Sequence, residues 1–310
     1  MAVQWYPGHM YKASKEIRES MPGIDLVIEV LDARIPYSSE NPVIQEVRGD
    51  KPCIKILNKH DLADPAVTKL WQEYLEQDKT VKTLVLSTEQ PAKIQQIAEL
   101  CQQLLPEKVA SGKTLHTMIM GIPNVGKSTL INILAGRQIA KTGNEPAVTK
   151  RQQRIRLDND IYLSDTPGIL WPKVENPKSS YRLAITGAIK DTAIEYDDVA
   201  FFAAEYFLQT CPDLIVKRYD LDEVPGSELE FLETMGRKRG CIGAGGLVDL
   251  HKASVILINE YRNATLGRIS LETPEMAEAE KIEAIALMEA KAIKDADRIE
   301  KSKKKRRKRK

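Results

Sequence analysis

The pattern of apolar and polar positions divides the chain into two parts, which differ in the secondary structure that they predict. In the first part, short runs of Val, Ile and Leu alternate with longer segments in which apolar residues recur at helical spacing. The apolar runs are 24–33, 53–58, 83–87 and 115–121, and the helical patterns lie near 40–48, 65–78, 91–105 and 127–135. Strands that are apolar throughout are typical of a parallel sheet buried on both faces. The pattern therefore predicts an α/β fold with a doubly wound, mostly parallel sheet.

The second part of the chain is dominated by helical periodicity. Strand signals are few between about residues 178 and 268, and Asp249 is placed to cap the last helix of this region. Pro274 after Thr273 favours the start of one more helix, which is rich in Glu, Ala and Lys and has a thin apolar face. The predicted domains are an α/β domain over 1–177, a small all-helical domain over 178–268, and a charged helix with a basic tail over 269–310.

Two connections in the first part carry turn signals. The stretch 152–165 contains two alternating runs separated by Asn159 and Asp160, which predicts a β-hairpin. The stretch 106–113 contains Pro, Gly and Ser and predicts a spacer.

The basic charge is concentrated at the end of the chain. The net charge is +2, but 301–310 hold nine Lys or Arg residues, and without them 37 basic residues stand against 44 acidic ones. Such a run cannot pack into a core and suits a polyanion such as RNA, DNA or an anionic membrane, unless it only confers solubility. No apolar run is long enough to predict a membrane span, and the N-terminus lacks a signal-peptide core. The four cysteines are far apart, which favours reduced core cysteines in a cytoplasmic protein.

Residues 121–128, GIPNVGKS, match the phosphate-binding pattern G-x-x-x-x-G-K-[ST] between a predicted strand and a predicted helix. Gly121 allows the backbone to curl so that its N–H groups face phosphate oxygens. Lys127 would reach the β- and γ-phosphates, and Ser128 would offer its hydroxyl to Mg²⁺. The nucleotide-binding residues predicted in this segment are Asn124, Val125, Gly126, Lys127, Ser128 and Thr129.

Residues 165–168, DTPG, follow the second strand of the predicted hairpin. An aspartate at this point can hold Mg²⁺ through water, so Asp165 is a predicted metal ligand, and Gly168 is predicted to donate its N–H to the γ-phosphate. Thr149 lies between the two phosphate motifs, and its hydroxyl is predicted to complete the Mg²⁺ shell. The metal ligands predicted for Mg²⁺ are therefore Ser128, Thr149 and Asp165.

Residues 58–61, NKHD, follow an apolar run and form a predicted guanine-reading loop. Asp61 offers two acceptors to the N1–H and N2–H₂ donors of guanine, whereas adenine would leave the carboxylate unpaired. Asn58 would tether the loop and meet the base edge, and the stem of Lys59 would cover the face of the base. Ser87, after the next apolar run, is predicted to lie near guanine O6.

The guanine motifs precede the phosphate motifs, which reverses the usual order and indicates a circular permutation joined at 106–113. With these motifs, and with WYPGHMYKA at 5–13, the chain resembles the circularly permuted P-loop GTPases, most closely the ribosome biogenesis GTPase A family. The resemblance implies Mg²⁺-dependent GTP hydrolysis, RNA contact through the helical domain, and a late role in assembly of the large (50S) ribosomal subunit. Ala147 and Tyr6 depart from the family pattern, where Gly and Phe are common.

The catalytic group is less evident from the motifs. Ile169 follows the DTPG motif and cannot orient water, as a glutamine does at this point in Ras-like enzymes. His9 resembles the histidine to which the family assigns this role, and we expect its segment to be flexible until the protein docks. Asn124 resembles the asparagine that helps some GTPases to bind K⁺. The predicted catalytic residues are His9, Lys127 and Gly168.

Two other functions compete with a switch on ribosomal RNA. The basic tail would also serve a GTPase switch at a membrane surface, but the chain has no prenylation or myristoylation motif that would provide a second anchor. A nucleotide-dependent scaffold with negligible turnover is the other alternative, because Ile169 leaves the rate of hydrolysis open. The sequence favours RNA over the membrane, with GTP, GDP and the large subunit as expected partners.

Overall fold

The computed structural model describes residues 5–87, 89–140, 153–157, 160–174 and 176–286, and it contains a six-stranded sheet. The strands are β1 (Leu26–Asp32), β2 (Cys53–Asn58), β3 (Val81–Val85), β4 (Leu115–Gly121), β5 (Gln153–Leu157) and β6 (Ile161–Asp165). Their order is β3-β2-β1-β4-β6-β5, and β5 alone runs antiparallel to its neighbour. The predicted α/β fold with a mostly parallel sheet is confirmed.

Helices precede, connect and follow the strands. Those of the first part are α1 (Gly8–Ser20), α2 (Pro36–Ser39), α3 (Pro42–Arg48), α4 (Pro65–Leu75), α5 (Pro91–Leu104), α6 (Pro106–Ala110) and α7 (Lys127–Leu134). Those that follow the sheet are α8 (Pro177–Ile185), α9 (Tyr196–Thr210), α10 (Pro212–Tyr219), α11 (Glu228–Lys238) and α12 (Leu250–Arg262), and α13 occupies 274–286. Many of them begin with proline, whose fixed φ suits the first helical position and whose missing N–H is not needed there.

The central strands are buried along their whole length. Every residue of β1 and β2 is buried, as their apolar sequences require in a sheet covered on both faces. Two of the charged residues in these strands, Glu29 and Lys55, stand opposite each other in the register of β1 and β2. Lys55 also pairs with Glu40, so its buried charge is compensated.

The sheet order places a topological switch point between β1 and β4. From β1 the chain proceeds to one edge of the sheet at β3, and from β4 it proceeds to the other edge. In open α/β sheets, ligands bind beyond the carboxyl ends of the strands at such a point. Moving β4–β6 ahead of β1–β3 in the chain would change no strand neighbour, which is the geometric basis of the circular permutation.

Some local predictions are confirmed and others are not. The hairpin is present as β5 and β6, with Asp160 at φ 55°, whereas Asn159 lies outside the described residues. Asp249 caps α12 by accepting from the N–H of Lys252 at 3.1 Å. Thr273 likewise accepts from the N–H of Met276 at 3.2 Å as α13 begins. The predicted spacer at 106–113 begins with the short helix α6, because its proline takes the first helical position.

The N-terminal segment was expected to be flexible, but residues 8–20 form helix α1. Its buried residues are Met10, Ala13 and Ile17, which lie at spacings of three and four and so share one face of the helix. Three apolar positions among polar neighbours are a weak sequence signal, and packing against the rest of the protein stabilises the helix.

The described residues up to Glu272 form one compact unit, and those from Thr273 onward form a second. The boundary between a domain over 1–177 and a helical domain over 178–268 therefore stays a prediction. Within the described part of the chain, no single helix has the length and apolar character needed to cross a membrane. One bent pair, α9 with α10, meets that criterion by length and composition alone.

A buried ion pair joins α8 to the strand-rich part of the first unit. We call α8 to α12, with the segment that follows them up to Glu272, the helical region. The carboxylate of Glu272 is fully buried and accepts from the N–H of Ser38 at 2.9 Å and from its hydroxyl at 2.5 Å. Arg182 of α8 donates to the same carboxylate at 3.2 Å. The indole N–H of Trp71 on α4 donates to the carbonyl oxygen of Glu272 at 3.1 Å. Three helices thus meet at one residue.

Replacing Glu272 with alanine should strongly destabilise the fold. The substitution leaves the guanidinium of Arg182 buried without its carboxylate, which costs about 3–5 kcal/mol. Urea unfolding followed by circular dichroism would show a lower midpoint. Glu46→Ala is the control, because Glu46 pairs with Arg18 on the surface, and it should leave the midpoint nearly unchanged. Equal midpoints for the two variants would contradict this account of the junction.

Candidate functional site

The predicted nucleotide-binding residues converge beyond the carboxyl ends of the parallel strands. Gly121 ends β4, Asp165 ends β6, Asn58 ends β2, and Ser87 follows β3 by two residues. These strands run in one direction, so the segments that leave them lie side by side at one edge of the sheet. Thr149 lies outside the described residues, and its role stays a prediction.

The phosphate-loop segment curls tightly between β4 and α7. Gly121 has a φ of +151°, and a Cβ atom there would lie 2.4 Å from the carbonyl oxygen of Val30 on β1, so only glycine fits. Gly126 has a φ of +100° directly before α7. Nζ of Lys127 donates to the carbonyl oxygens of Gly121 and Ile122 at 2.9 and 2.8 Å. The Lys127 ammonium therefore lies inside the loop and binds its backbone carbonyl groups.

The start of α7 adds positive potential at the same place. Lys127, Ser128 and Thr129 are the first residues of this helix. The N–H groups of a first helical turn and the positive end of the helix dipole favour an anion at that position. The geometry of this segment thus suits a phosphate group.

The carboxylate of Asp165 is only partly compensated within the described residues. It is buried at the end of β6, and neither of its oxygens has a hydrogen-bond partner there. Burial raises the pKa of Asp165 to about 6, although the Lys127 ammonium opposes the change. Burial also lowers the pKa of Lys127 to about 8, and here Asp165 opposes the change. A buried and only partly compensated carboxylate fits a hard cation such as Mg²⁺, which prefers oxygen ligands, and the Ser128 hydroxyl is a suitable second ligand.

The DTPG segment lies directly on the phosphate loop. A Cβ atom at Gly168 would lie 2.8 Å from Cα of Pro123 and 3.2 Å from Nζ of Lys127, so a side chain would push the two loops apart. The N–H of Ile169 donates to the carbonyl oxygen of Gly121 at 3.3 Å. The side chain of Ile169 is fully buried, so it belongs to the core and presents nothing to a water molecule.

The NKHD loop is tied to the phosphate loop. Nδ2 of Asn58 donates to the carbonyl oxygen of Val125 at 2.7 Å, so Asn58 joins the two loops. Lys59 has the left-handed conformation at φ 59°, and the next three residues form the 3₁₀ turn His60–Leu62. Asp61 lies in that turn and is partly exposed, as a group that reads a ligand must be.

A buried ion cluster beneath this loop was missed by the sequence reasoning. Asp32, at the end of β1, accepts from Nε and Nη2 of Arg34 at 2.9 and 2.7 Å, and its carboxylate lies 3.2 Å from Nζ of Lys59. Burial alone would raise the pKa of Asp32, but the charges of Arg34 and Lys59 outweigh it and hold the pKa far below the usual range. The sequence contained one indication of this cluster, namely an aspartate and an arginine two residues apart at the end of an apolar run.

Ser87 and Asn124 are held by contacts of their own. The hydroxyl of Ser87 is buried and accepts from the N–H of Glu89 at 3.2 Å, which fixes a small side chain beside the exit of β2. Asn124 has a φ of 57°, and its Nδ2 donates to the carbonyl oxygen of Gly187 at 2.8 Å. The phosphate loop is therefore joined to the segment that follows α8. The role of Asn124 as a K⁺ ligand stays a prediction.

His9 lies exposed in the first turn of α1. Its ring meets the ring of Trp5 edge-on at a centroid distance of 6.5 Å. The neighbouring Met10 is buried, and its sulfur accepts from the N–H of Leu170 at 3.5 Å. The helix start that carries His9 is thus anchored to the segment that follows Gly168, and within the described residues the ring contact found for His9 is with Trp5 and not with the phosphate loop.

Comparisons with known proteins agree with this site. Residues 116–234 match the family model described as 50S ribosome-binding GTPase. Ribosome biogenesis GTPase A of Bacillus pumilus is 44% identical over 282 residues, which cover 89% of this chain and the whole of that protein. The protein of the same name from Priestia megaterium is 43% identical over 286 residues, covering 90% of this chain and 99% of the relative. A solved GDP-bound structure of YlqF has a TM-score of 0.61 and 27% identity, covering 84% of this chain and 99% of that one.

The matched regions contain the motifs described above. The family model spans the phosphate loop and the DTPG segment, and the matches to the two relatives cover about nine-tenths of this chain. The GDP-bound neighbour has the same fold with a guanine nucleotide in place. The chain therefore belongs to the ribosome biogenesis GTPase A family, and it is an enzyme that binds GTP and GDP and hydrolyses GTP.

Proposed function

We propose that the protein is a GTP-driven switch that binds ribosomal RNA and assists late assembly of the large (50S) ribosomal subunit. The observation that carries this proposal is the packing of Gly168 on the phosphate loop, at the start of a segment that leads directly into α8. A change at the γ-phosphate would therefore reach the helical region through a short connection. The names of the relatives, which refer to ribosome biogenesis, supply the proposed target.

The guanine base is proposed to bind at the NKHD loop. Asp61 accepts from the N1–H and N2–H₂ groups of guanine, and Asn58 holds the loop on the phosphate loop while it meets the base edge. The stem of Lys59 covers the face of the base, because its ammonium is fixed by Asp32. Ser87 lies near guanine O6. Adenine would leave the Asp61 carboxylate unpaired and is rejected for that reason.

The phosphates are proposed to bind at the curl between β4 and α7. The residues in contact with them are Val125, Gly126, Lys127, Ser128 and Thr129, and Gly168 donates its N–H to the γ-phosphate. GTPase domains generally depend on Mg²⁺, and Ser128, Thr149 and Asp165 would hold the ion here. The ion, when bound, would supply positive charge to the β- and γ-phosphate oxygens. Asn124 is the proposed ligand if K⁺ takes part.

His9 is the proposed water-orienting residue. Ile169 is buried in the core and cannot perform this task. The contact between Met10 and Leu170 holds the start of α1 beside the DTPG segment, and the exposed His9 precedes it by one residue. Docking on the ribosomal particle would bring the imidazole to the water that attacks the γ-phosphate.

RNA binding is assigned to the helical region and to the basic tail at 301–310. The tail carries nine Lys or Arg residues, and neutralising RNA phosphates with such residues releases counterions. The remainder of the chain is acidic on balance, so the tail supplies the favourable long-range potential. The proposed place of action is the cytoplasm.

Asp61→Asn should change the base preference from guanine to xanthine. The amide N–H₂ donates to the C2 oxygen of xanthine, where guanine presents a donor, so affinity for GDP should fall at least about 100-fold while affinity for XDP rises. Fluorescence titration with labelled GDP and XDP measures both. Asp64→Asn is the matched control, because Asn also caps α4, and it should keep guanine preference. Unchanged preference in Asp61→Asn would refute the assigned role.

His9→Ala should slow hydrolysis without weakening GTP binding. A water-orienting group or general base contributes roughly 10²–10⁴-fold, and it acts only as the reaction proceeds. Single-turnover hydrolysis with saturating large subunits should therefore fall by at least about 100-fold at unchanged GTP affinity. Lys12→Ala, an exposed position on the same helix, should keep the normal rate. A normal rate in His9→Ala would exclude this histidine from the mechanism.

Co-sedimentation with separated ribosomal subunits tests the proposed target. The protein should pellet with large subunits when a non-hydrolysable GTP analogue is bound, and less with GDP or with small subunits. Deleting 301–310 should weaken this binding and flatten its dependence on salt, since each lost phosphate contact lowers the slope by about 0.9 or less. Nucleotide-independent binding to both subunits would refute the proposal, as would a preference for anionic vesicles.

A further inference from the structure

The segment that follows α12 returns to the NKHD loop. Nε of Arg268 donates to the carbonyl oxygen of Ala63 at 3.0 Å, and its Nη2 donates to that of His60 at 2.8 Å. Two residues later, the hydroxyl of Ser270 accepts from the N–H of Asp64 at 3.2 Å. We call residues 268–271 the strap, and it contacts three of the five residues from His60 to Asp64.

The strap is also fixed to the helices that precede it. The phenol O–H of Tyr206 on α9 donates to the carbonyl oxygen of Ser270 at 2.9 Å, and that of Tyr261 on α12 donates to the carbonyl oxygen of Ile269 at 3.3 Å. Ile269 and Leu271 are buried on the same segment. The strap therefore has a defined position relative to the helical region, and it transmits that position to the loop.

The loop depends on such support because it has little structure of its own. Its regular element is the single turn His60–Leu62, within which Asp61 lies. The carbonyl groups of His60 and Ala63 flank Asp61 in the chain. The His60 oxygen accepts from the N–H of Ala63 within the turn at 3.2 Å and takes Arg268 as a second donor, and the Ala63 oxygen accepts from Arg268 outside the turn. The planar guanidinium of Arg268 reaches both oxygens at once, which a lysine ammonium cannot match in geometry.

The same strap reaches the buried ion cluster under the loop. The N–H of Leu271 donates to the carbonyl oxygen of Arg34 at 2.8 Å, and the guanidinium of Arg34 lies 5.3 Å from the centre of the Tyr261 ring. Arg34 in turn binds Asp32, which holds the ammonium of Lys59. The loop is thus braced through Lys59 on one side of Asp61 and through Ala63 on the other.

We propose that Arg268 is a positioning residue for guanine recognition, which acts by holding the His60–Ala63 backbone so that Asp61 faces the base edge. The proposal rests on the base-reading role assigned to Asp61 above. By this proposal, the segment that follows α12 contributes to the preference for guanine over other bases. A ligand that moves this region away from the loop would lower guanine affinity, and guanine nucleotide would oppose that movement by the same factor.

Arg268→Ala should lower discrimination between GDP and IDP. Hypoxanthine lacks the 2-amino group of guanine, so the ratio of IDP to GDP dissociation constants reports how well Asp61 receives that group. In Arg268→Ala, GDP affinity should fall roughly tenfold and IDP affinity by less, so the ratio should fall severalfold. In Arg268→Lys the ratio should lie between those of Arg268→Ala and the wild type, because the ammonium can reach one of the two carbonyl oxygens. Titration with labelled GDP and IDP on the full chain gives these values.

Arg218→Ala is the matched control. Arg218 lies on α10, and its guanidinium makes two hydrogen bonds of 2.8 Å to Glu260, far in sequence from the NKHD loop. Arg239 also binds Glu260, so the carboxylate keeps a partner in the variant. Both dissociation constants should match those of the wild type. The thermal unfolding midpoint of each variant separates lost positioning from lost folding.

Two results would overturn the proposal. One is an unchanged ratio of IDP to GDP dissociation constants in Arg268→Ala. The other is a fall in this ratio that Arg268→Ala shows only together with a lowered unfolding midpoint and that Arg268→Lys does not reverse, which would mark Arg268 as a structural residue. The base-reading role of Asp61 is tested separately by Asp61→Asn with GDP and XDP, so either assignment can fail alone.

Discussion

The site depends on a charge constraint at the ends of two neighbouring strands. Lys127 and Asp165 are both buried. Burial lowers the pKa of Lys127 and raises the pKa of Asp165, so it favours the neutral form of each side chain. Isolated charges in such a place are costly unless other charges compensate them. In the proposed function, the phosphates supply the anion that Lys127 needs and Mg²⁺ supplies the cation that Asp165 needs. The curl at Gly121 and the close approach of Gly168 hold both groups in place before the ligand arrives, so the cost of ordering them is met during folding.

The permuted chain order is compatible with this constraint because the sheet defines the site by strand neighbours and not by chain order. The phosphate loop follows β4 and the guanine loop follows β2, and β1 lies between those strands. The tether from Asn58 to Val125 connects the two loops across that gap. The permutation changes what comes next: after the DTPG segment the chain enters α8, so the helical region is attached to the predicted γ-phosphate sensor.

Much of the architecture follows from local signals in the sequence. Continuous apolar runs predicted the strands, and the phosphate, DTPG and NKHD motifs were predicted from spacing, because glycine, lysine and carboxylate positions there serve chemistry that tolerates few substitutions. Helix α1 was missed because its apolar stripe is short. The ion cluster of Asp32 and Arg34 was missed although its two residues are local in sequence, and the contact from Arg268 to His60 was missed for another reason. The latter joins residues 208 positions apart, and such pairing leaves no periodicity to detect.

The helical region contacts the nucleotide site at two separate loops, and the strength of those contacts suits a switch. Asn124 of the phosphate loop bonds to Gly187, and Arg268 bonds to the guanine loop. A typical hydrogen bond of this kind contributes about 1 kcal/mol net, and an exposed one less. A macromolecular partner at nanomolar affinity contributes roughly 12 kcal/mol, so docking can break both contacts at a small fraction of its binding energy. A coupling free energy of about 1–3 kcal/mol between the nucleotide and the docking partner would change the affinity for each of them by roughly 5–150-fold. Contacts much stronger than these would oppose release of the nucleotide, and without them the covalent connection from the DTPG segment to α8 would be the remaining route from the nucleotide to the helical region.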